Sequence, residues 1–162
     1  MLDRVRSVPS FAGTLLGVNL LGVSLLAAGC GEGAVKVPVP KPDAATARLC
    51  SGLRLPDKVN GLKRRDTSPD SSLTAAWGSP AIALRCGVPL PAGLQATSQL
   101  QTINGVSWYG VPVDRPITWT AVARQAYVEV TIPVKYSPPG DILIELGDDL
   151  KTTIPPKPEG EI

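Results

Sequence analysis

The chain has 162 residues, with 16 basic and 14 acidic side chains and a formal net charge of +2; the length is that of one domain, and so balanced a charge argues against a nucleic-acid partner. Histidine is absent, which removes a Ser-His-Asp or Cys-His catalytic arrangement and every histidine-containing zinc site. Although there are 17 prolines and 16 glycines, 43% hydrophobic against 19% charged residues excludes a fully disordered chain.

Arg4 and Arg6 open the chain, residues 7–31 carry no charge, and residues 11–26 are dominated by Leu, Val, Ala and Gly. Ala27-Ala28-Gly29 then lead into Cys30. A basic start, an apolar run and small residues before a cut predict a secretory signal over residues 1–29. The cysteine just after that cut resembles the bacterial lipoprotein signal, in which its thiol receives a diacylglycerol and the preceding peptide is removed. Leu is usual three positions before the cysteine; here Ala27 stands there, with Leu26 one further back. This reading makes Cys30 a lipidation site, fatty acids such as palmitate holding the chain at the extracytoplasmic face of the cell membrane. The alternative is a single N-terminal transmembrane anchor, since a helix over residues 11–29 would reach roughly 28 Å, close to the ~30 Å hydrocarbon core. Both readings place the remainder outside the cytoplasmic membrane. Three cysteines occur, Cys30, Cys50 and Cys86. With Cys30 lipidated, an even pair is left in an oxidising compartment, where a disulfide is expected.

Residues 30–42 are rich in Pro and Gly and are expected to form a tether, partly in polyproline II conformation, that lifts the domain off the membrane. Residues 43–154 are expected to make a single domain, and residues 155–162 a flexible tail. Asp43 is placed to cap a helix running to about Leu53, with Pro56 closing it off. Six strand-like segments follow, over residues 59–65, 73–77, 82–86, 102–111, 117–124 and 127–134. Gly78-Ser79-Pro80 and Arg124-Gln125-Ala126 mark turns. Between residues 127 and 132 the alternation puts Val128, Val130 and Ile132 on one face and Tyr127, Glu129 and Thr131 on the other. Ile142, Leu143, Leu146 and Leu150 recur at helical spacing, which predicts a closing helix over residues 140–151 despite Gly147. The expected fold is α+β, an antiparallel sheet of about five or six strands packed with an N-terminal and a C-terminal helix and pinned by one disulfide.

The runs L-C-S-G-L-R-L-P, V-N-G-L-K-R-R, A-A-W-G-S-P-A-I-A-L-R-C-G-V-P, I-N-G-V-S-W and Y-V-E-V-T-I-P resemble an actinobacterial family of small envelope proteins known only as a domain of unknown function, DUF3515. The resemblance covers about residues 49–150. It implies a lipoprotein or a singly anchored secreted protein, and it carries over no activity and no catalytic residue.

Cys50 and Cys86 are far apart in the chain rather than in a C-x-x-C motif, which favours a structural staple over a redox pair. Arg64, Arg65, Arg85 and Arg124 are the candidate anion-binding residues, because guanidinium forks pair bidentately with carboxylates and phosphates. The competing expectation is that they pair with Glu129, Asp66 or Asp114 on a solvated face. Of Trp77, Trp108 and Trp119, at least two are expected in the core. No S-x-x-K, phosphate-cradling or carboxylate-pair motif stands out, and no metal or cofactor is expected. The leading expectation is a non-enzymatic envelope lipoprotein that serves as a structural or partner-binding accessory, its partner an envelope protein or a wall polymer. A binding module for an anionic wall polymer or lipid headgroup, built on the arginines, is the alternative. A hydrolase is the most remote of the three.

Overall fold

A computed structural model describes residues 33–115 and 117–162, all within one compact unit, Glu32–Ile162. The signal segment and Cys30 lie outside the described residues. The elements are β1 (Val35–Lys36), α1 (Ala44–Ser51), β2 (Lys58–Val59), β3 (Leu62–Arg65), β4 (Thr67–Ser68), β5 (Thr74–Trp77), β6 (Ile82–Cys86), β7 (Gln101–Ile103), β8 (Val106–Val111), β9 (Thr118–Val122), β10 (Val128–Thr131) and α2 (Gly140–Thr153). Eight strands form one antiparallel sheet in the order β2-β3-β5-β6-β10-β9-β8-β7, and β1 pairs with β4 in parallel beside it.

The fold is α+β, as expected, but the large sheet has eight strands rather than five or six. The difference lies in two Asn-Gly pairs. Asn60 and Gly61 have φ of 51° and 72°, and Asn104 and Gly105 have 49° and 72°. Left-handed conformation at both central residues is what a tight two-residue hairpin requires, and Asn-Gly adopts it at least cost. Each pair therefore folds an expected single strand, residues 59–65 and 102–111, into a hairpin: β2–β3 and β7–β8.

Pleating sorts the side chains. Val128 and Val130 are fully buried and Glu129 lies on the opposite face, as the alternation predicts. On the first face, Trp77, Ile82, Leu84, Trp108, Trp119, Val128 and Val130 pack with Ile142, Leu143, Leu146 and Leu150 of α2. All three tryptophans are core, 0% to 3% exposed, and Trp77 Nε1 donates to the Pro56 carbonyl at 2.9 Å. Gly147 does not break α2 because it faces the sheet; even a Cβ there would stand 3.4 Å from Val106 Cγ2. On the second face, Leu94 from the β6–β7 connection packs on Tyr109 and Val122.

Asp43 caps α1 as expected, its Oδ1 accepting from the Ala45 and Thr46 amides at 2.8 and 2.9 Å. The Thr46 amide and hydroxyl, with the Ala45 amide, hold the Asp43 carboxyl below its ordinary value. The stabilisation is thus present above the usual carboxylate range and is lost as pH falls through the lowered folded value. Cys50, near the end of α1, and Cys86, at the end of β6, are at disulfide distance, with S–S 2.05 Å and Cα–Cα 5.5 Å.

Both terminal segments differ from expectation. The tether is docked from its fourth residue: the Val35 amide donates to Asp66 O at 2.8 Å, Val35 and Lys36 pair with Thr67 and Ser68, and Val37 is 2% exposed. Valines at every second position give this stretch the apolar alternation of a strand, and that outweighs its prolines. The tail is tied as well. Pro156 bridges to Arg124, and the Lys157 amide donates to Ala123 O at 3.0 Å.

Candidate functional site

The register distributes the four arginines. Arg64 lies opposite Trp77 and Arg65 opposite Ala76, so the pleat sends them to opposite faces of β3. Arg64 Nη1 donates to Leu55 O at 3.2 Å, and its guanidinium lies 5.7 Å from the Trp77 ring centroid. Arg65 Nη1 donates to Gly78 O at 3.0 Å and Nη2 to Gly33 O at 2.6 Å. Arg85 is directly across from Glu129 and bonded to it, Nε and Nη2 each 2.9 Å from Oε1. Arg124 is 7% exposed, with Nη1 donating to Ile154 O at 2.6 Å and Nη2 to Gly105 O at 3.4 Å. Burial pushes its pKa below the usual arginine value.

Three of the four therefore serve backbone carbonyls, and Arg85 pairs with Glu129, one of the three acids expected for the arginines. Arg64 and Arg65 do line a common groove of about 310 Å³, together with Asp66, Thr67, Asp70, Ser71 and Thr74. Its two carboxylates oppose an anion. Arg124 lines a separate groove at the β9–β10 corner with residues of the C-terminal segment.

Removing the Arg65 link is expected to free the N-terminal strand. Arg65→Ala should make the full chain several-fold more sensitive to trypsin at Lys36, with cleavage read by mass spectrometry. An unchanged rate would show that β1 is held without Arg65.

Titrating groups on α2 diverge without forming a cleft. Asp148 is held below its ordinary pKa by hydrogen bonds from Lys151 and Asn104, and Asp149 is raised by burial and by Asp148 beside it. The Asn104, Asp148 and Lys151 side chains close a hydrogen-bonded triangle at 2.9 to 3.0 Å, which ties the β7–β8 turn to α2. Among the described residues no group of three His, Cys, Asp or Glu is placed to hold a metal ion. No helix there is long and apolar enough to cross a membrane.

A larger groove, about 660 Å³ in volume, is lined by Gly93, Gln95, Thr97, Ser98, Gln99, Leu100, Gln101, Tyr109, Gly110 and Val113. Its size is that of a small-ligand or peptide site. The lining carries no charge and is dense in amides and hydroxyls, which both donate and accept hydrogen bonds. A Cβ at Gly93 would come 2.9 Å from the Tyr109 hydroxyl oxygen, so a larger residue in this wall would have to displace that side chain. No motif in the sequence marks this groove. The signal available was the charge-free polar run of residues 95–101, Q-A-T-S-Q-L-Q.

Among known proteins, the family described as Protein of unknown function (DUF3515) has a model that matches residues 12–159, a longer stretch than the motifs alone span. No curated protein and no solved structure matches.

Proposed function

We infer that this chain, which belongs to the DUF3515 family, is a non-enzymatic accessory of the cell envelope, anchored by lipid on Cys30 and acting by binding a partner. The observation that carries the reading is the lining of the 660 Å³ groove. Gln95, Ser98, Gln99, Gln101 and Tyr109 offer recognition by neutral hydrogen bonds, with no carboxylate, amine or thiol beside them to perform acid–base or nucleophilic work. The pairing of Cys50 with Cys86 supports the address, since such bonds persist in oxidising compartments. The anion-binding alternative rests on the Arg64–Arg65 groove, where Asp66 and Asp70 weigh against it.

The anchor and the groove are tested separately. Cys30→Ala should abolish incorporation of a fatty-acid analogue and leave the signal segment attached; equal label on both proteins removes the lipid. A photo-cross-linking residue at Gln99 should capture one discrete adduct in intact cells, lost on adding Gln95→Ala and Gln101→Ala. Identical adducts from Gln99 and from Lys58, a position outside the groove, would remove the partner site.

A further inference from the structure

The tether's docking changes how the domain must stand on a membrane. β5 ends at Trp77, β6 begins at Ile82, β10 ends at Thr131, β9 begins at Thr118 and β8 ends at Val111, and the registers bring all of these to one end of the sheet. Ile117 N donates to Val111 O and Ile132 N to Ile117 O, so the chain segments beyond the strands are gathered there too. Gly33 is held at this same end, because Arg65 bridges it to Gly78. β1 runs parallel to β4, so Gly33, just before β1, stands on the side of β1 that faces this end.

Cys30 is three residues before Gly33, a reach of at most about 11 Å even when fully extended. A lipid on Cys30 would therefore keep this end of the sheet close to the bilayer. Its surface fits that position. Val113 is 77% exposed, Val134 48% and Ile117 38%, three of the apolar side chains the domain leaves in solvent. Arg115 and Lys135 are exposed beside them, Arg115 sharing a groove with Val134. Asp114 and Asp141 are exposed at this end as well, so charge alone does not drive contact. Apolar insertion does, with the two cations placed to meet phosphate headgroups.

We propose that the domain is seated on the lipid bilayer by this end of the sheet, with Val113, Ile117 and Val134 entering the interface while Arg115 and Lys135 contact the headgroups. The proposal rests on the lipid-anchor reading of Cys30. It also gives the 660 Å³ groove, whose wall includes Val113, a position next to the membrane surface.

The test uses the lipidated full chain in vesicles of phosphatidylcholine with phosphatidylglycerol, a fraction of them brominated on the acyl chains. The three native tryptophans are buried away from acyl bromines, so the emission and quenching gained by Val113→Trp over the unsubstituted chain report that position. Its emission should shift to the blue, and its quenching should be several times that of Leu90→Trp, an exposed position beyond the opposite end of β6. Arg115→Glu with Lys135→Glu should reduce the Val113→Trp quenching while the chain still floats with the vesicles. Protein that floats with the vesicles yet shows no difference between Val113→Trp and Leu90→Trp overturns the seating and leaves the anchor standing. Protein that fails to float overturns the anchor and the seating with it.

Discussion

Reduction of the Cys50–Cys86 bond, or Cys86→Ser, is expected to lower the melting temperature of the protein by roughly 10–15 °C. The two residues are 36 apart in sequence, and closing a loop of that length removes denatured-state entropy worth about 3–4 kcal/mol in the chain-entropy model. Both cysteines are 1% exposed and belong to the main core, so a serine hydroxyl there also loses its hydration. Cys50→Ala with Cys86→Ala separates the two contributions, because it opens the loop without burying a hydroxyl. Protein purified without reductant should show no free thiol at either position. Two titratable thiols, or a melting temperature indifferent to reductant, would overturn the staple.

Arg124→Ala is expected to cost about 2–4 kcal/mol, near 10 °C in melting temperature. The guanidinium is a buried, charged donor to Ile154 O, at the C-terminal end of α2, and to Gly105 O, in the β7–β8 turn. The residue also pairs through its backbone with Pro156. Alanine leaves the buried Ile154 carbonyl short of its donor, which is the costly direction of losing a hydrogen bond, and also removes the longer bond to Gly105. Arg124→Lys should recover only part of the loss, because one ammonium lacks the spread of the guanidinium fork. Carboxypeptidase should also trim the C-terminal segment faster in Arg124→Ala. Full recovery by lysine would reduce Arg124 to a simple surface charge.

Those two expectations show what the sequence could carry and what it could not. The β10 alternation, the Asp43 cap, the Gly78-Ser79-Pro80 turn and the α2 spacing are local signals, and each produced the element it predicts. The cysteine count led to Cys50 and Cys86 because the alternatives were few. The strand number differs at Asn60-Gly61 and Asn104-Gly105, where a hairpin signal sits inside a longer strand-like run. The arginines misled for a deeper reason. Sequence shows side chains that could pair with side chains, yet Arg64 and Arg124 found backbone carbonyls of Leu55, Ile154 and Gly105. Any residue supplies such an acceptor, so no pattern announces it. In the tether composition and alternation conflict: Val35 and Val37 sit among prolines but keep the period of a strand. The groove over residues 93–113 joins a connecting segment to the second face of β8, and only the fold brings those together.

The two borders of the large sheet carry a consequence for life at high density. A chain held to a membrane meets its copies in two dimensions, where unpaired strand borders find one another readily. One border is β2, two residues long, and the other is β7, with three. Lys58 on β2 and Gln101 and Thr102 on β7 are exposed and polar. Such short, hydrophilic borders give a neighbouring chain too little backbone to pair with. The apolar strands β5 and β6, which would propagate stacking, lie two and three places in from β2 and five and four places in from β7. Crowding can therefore raise the local concentration of this protein without turning its sheet into a template for polymerisation.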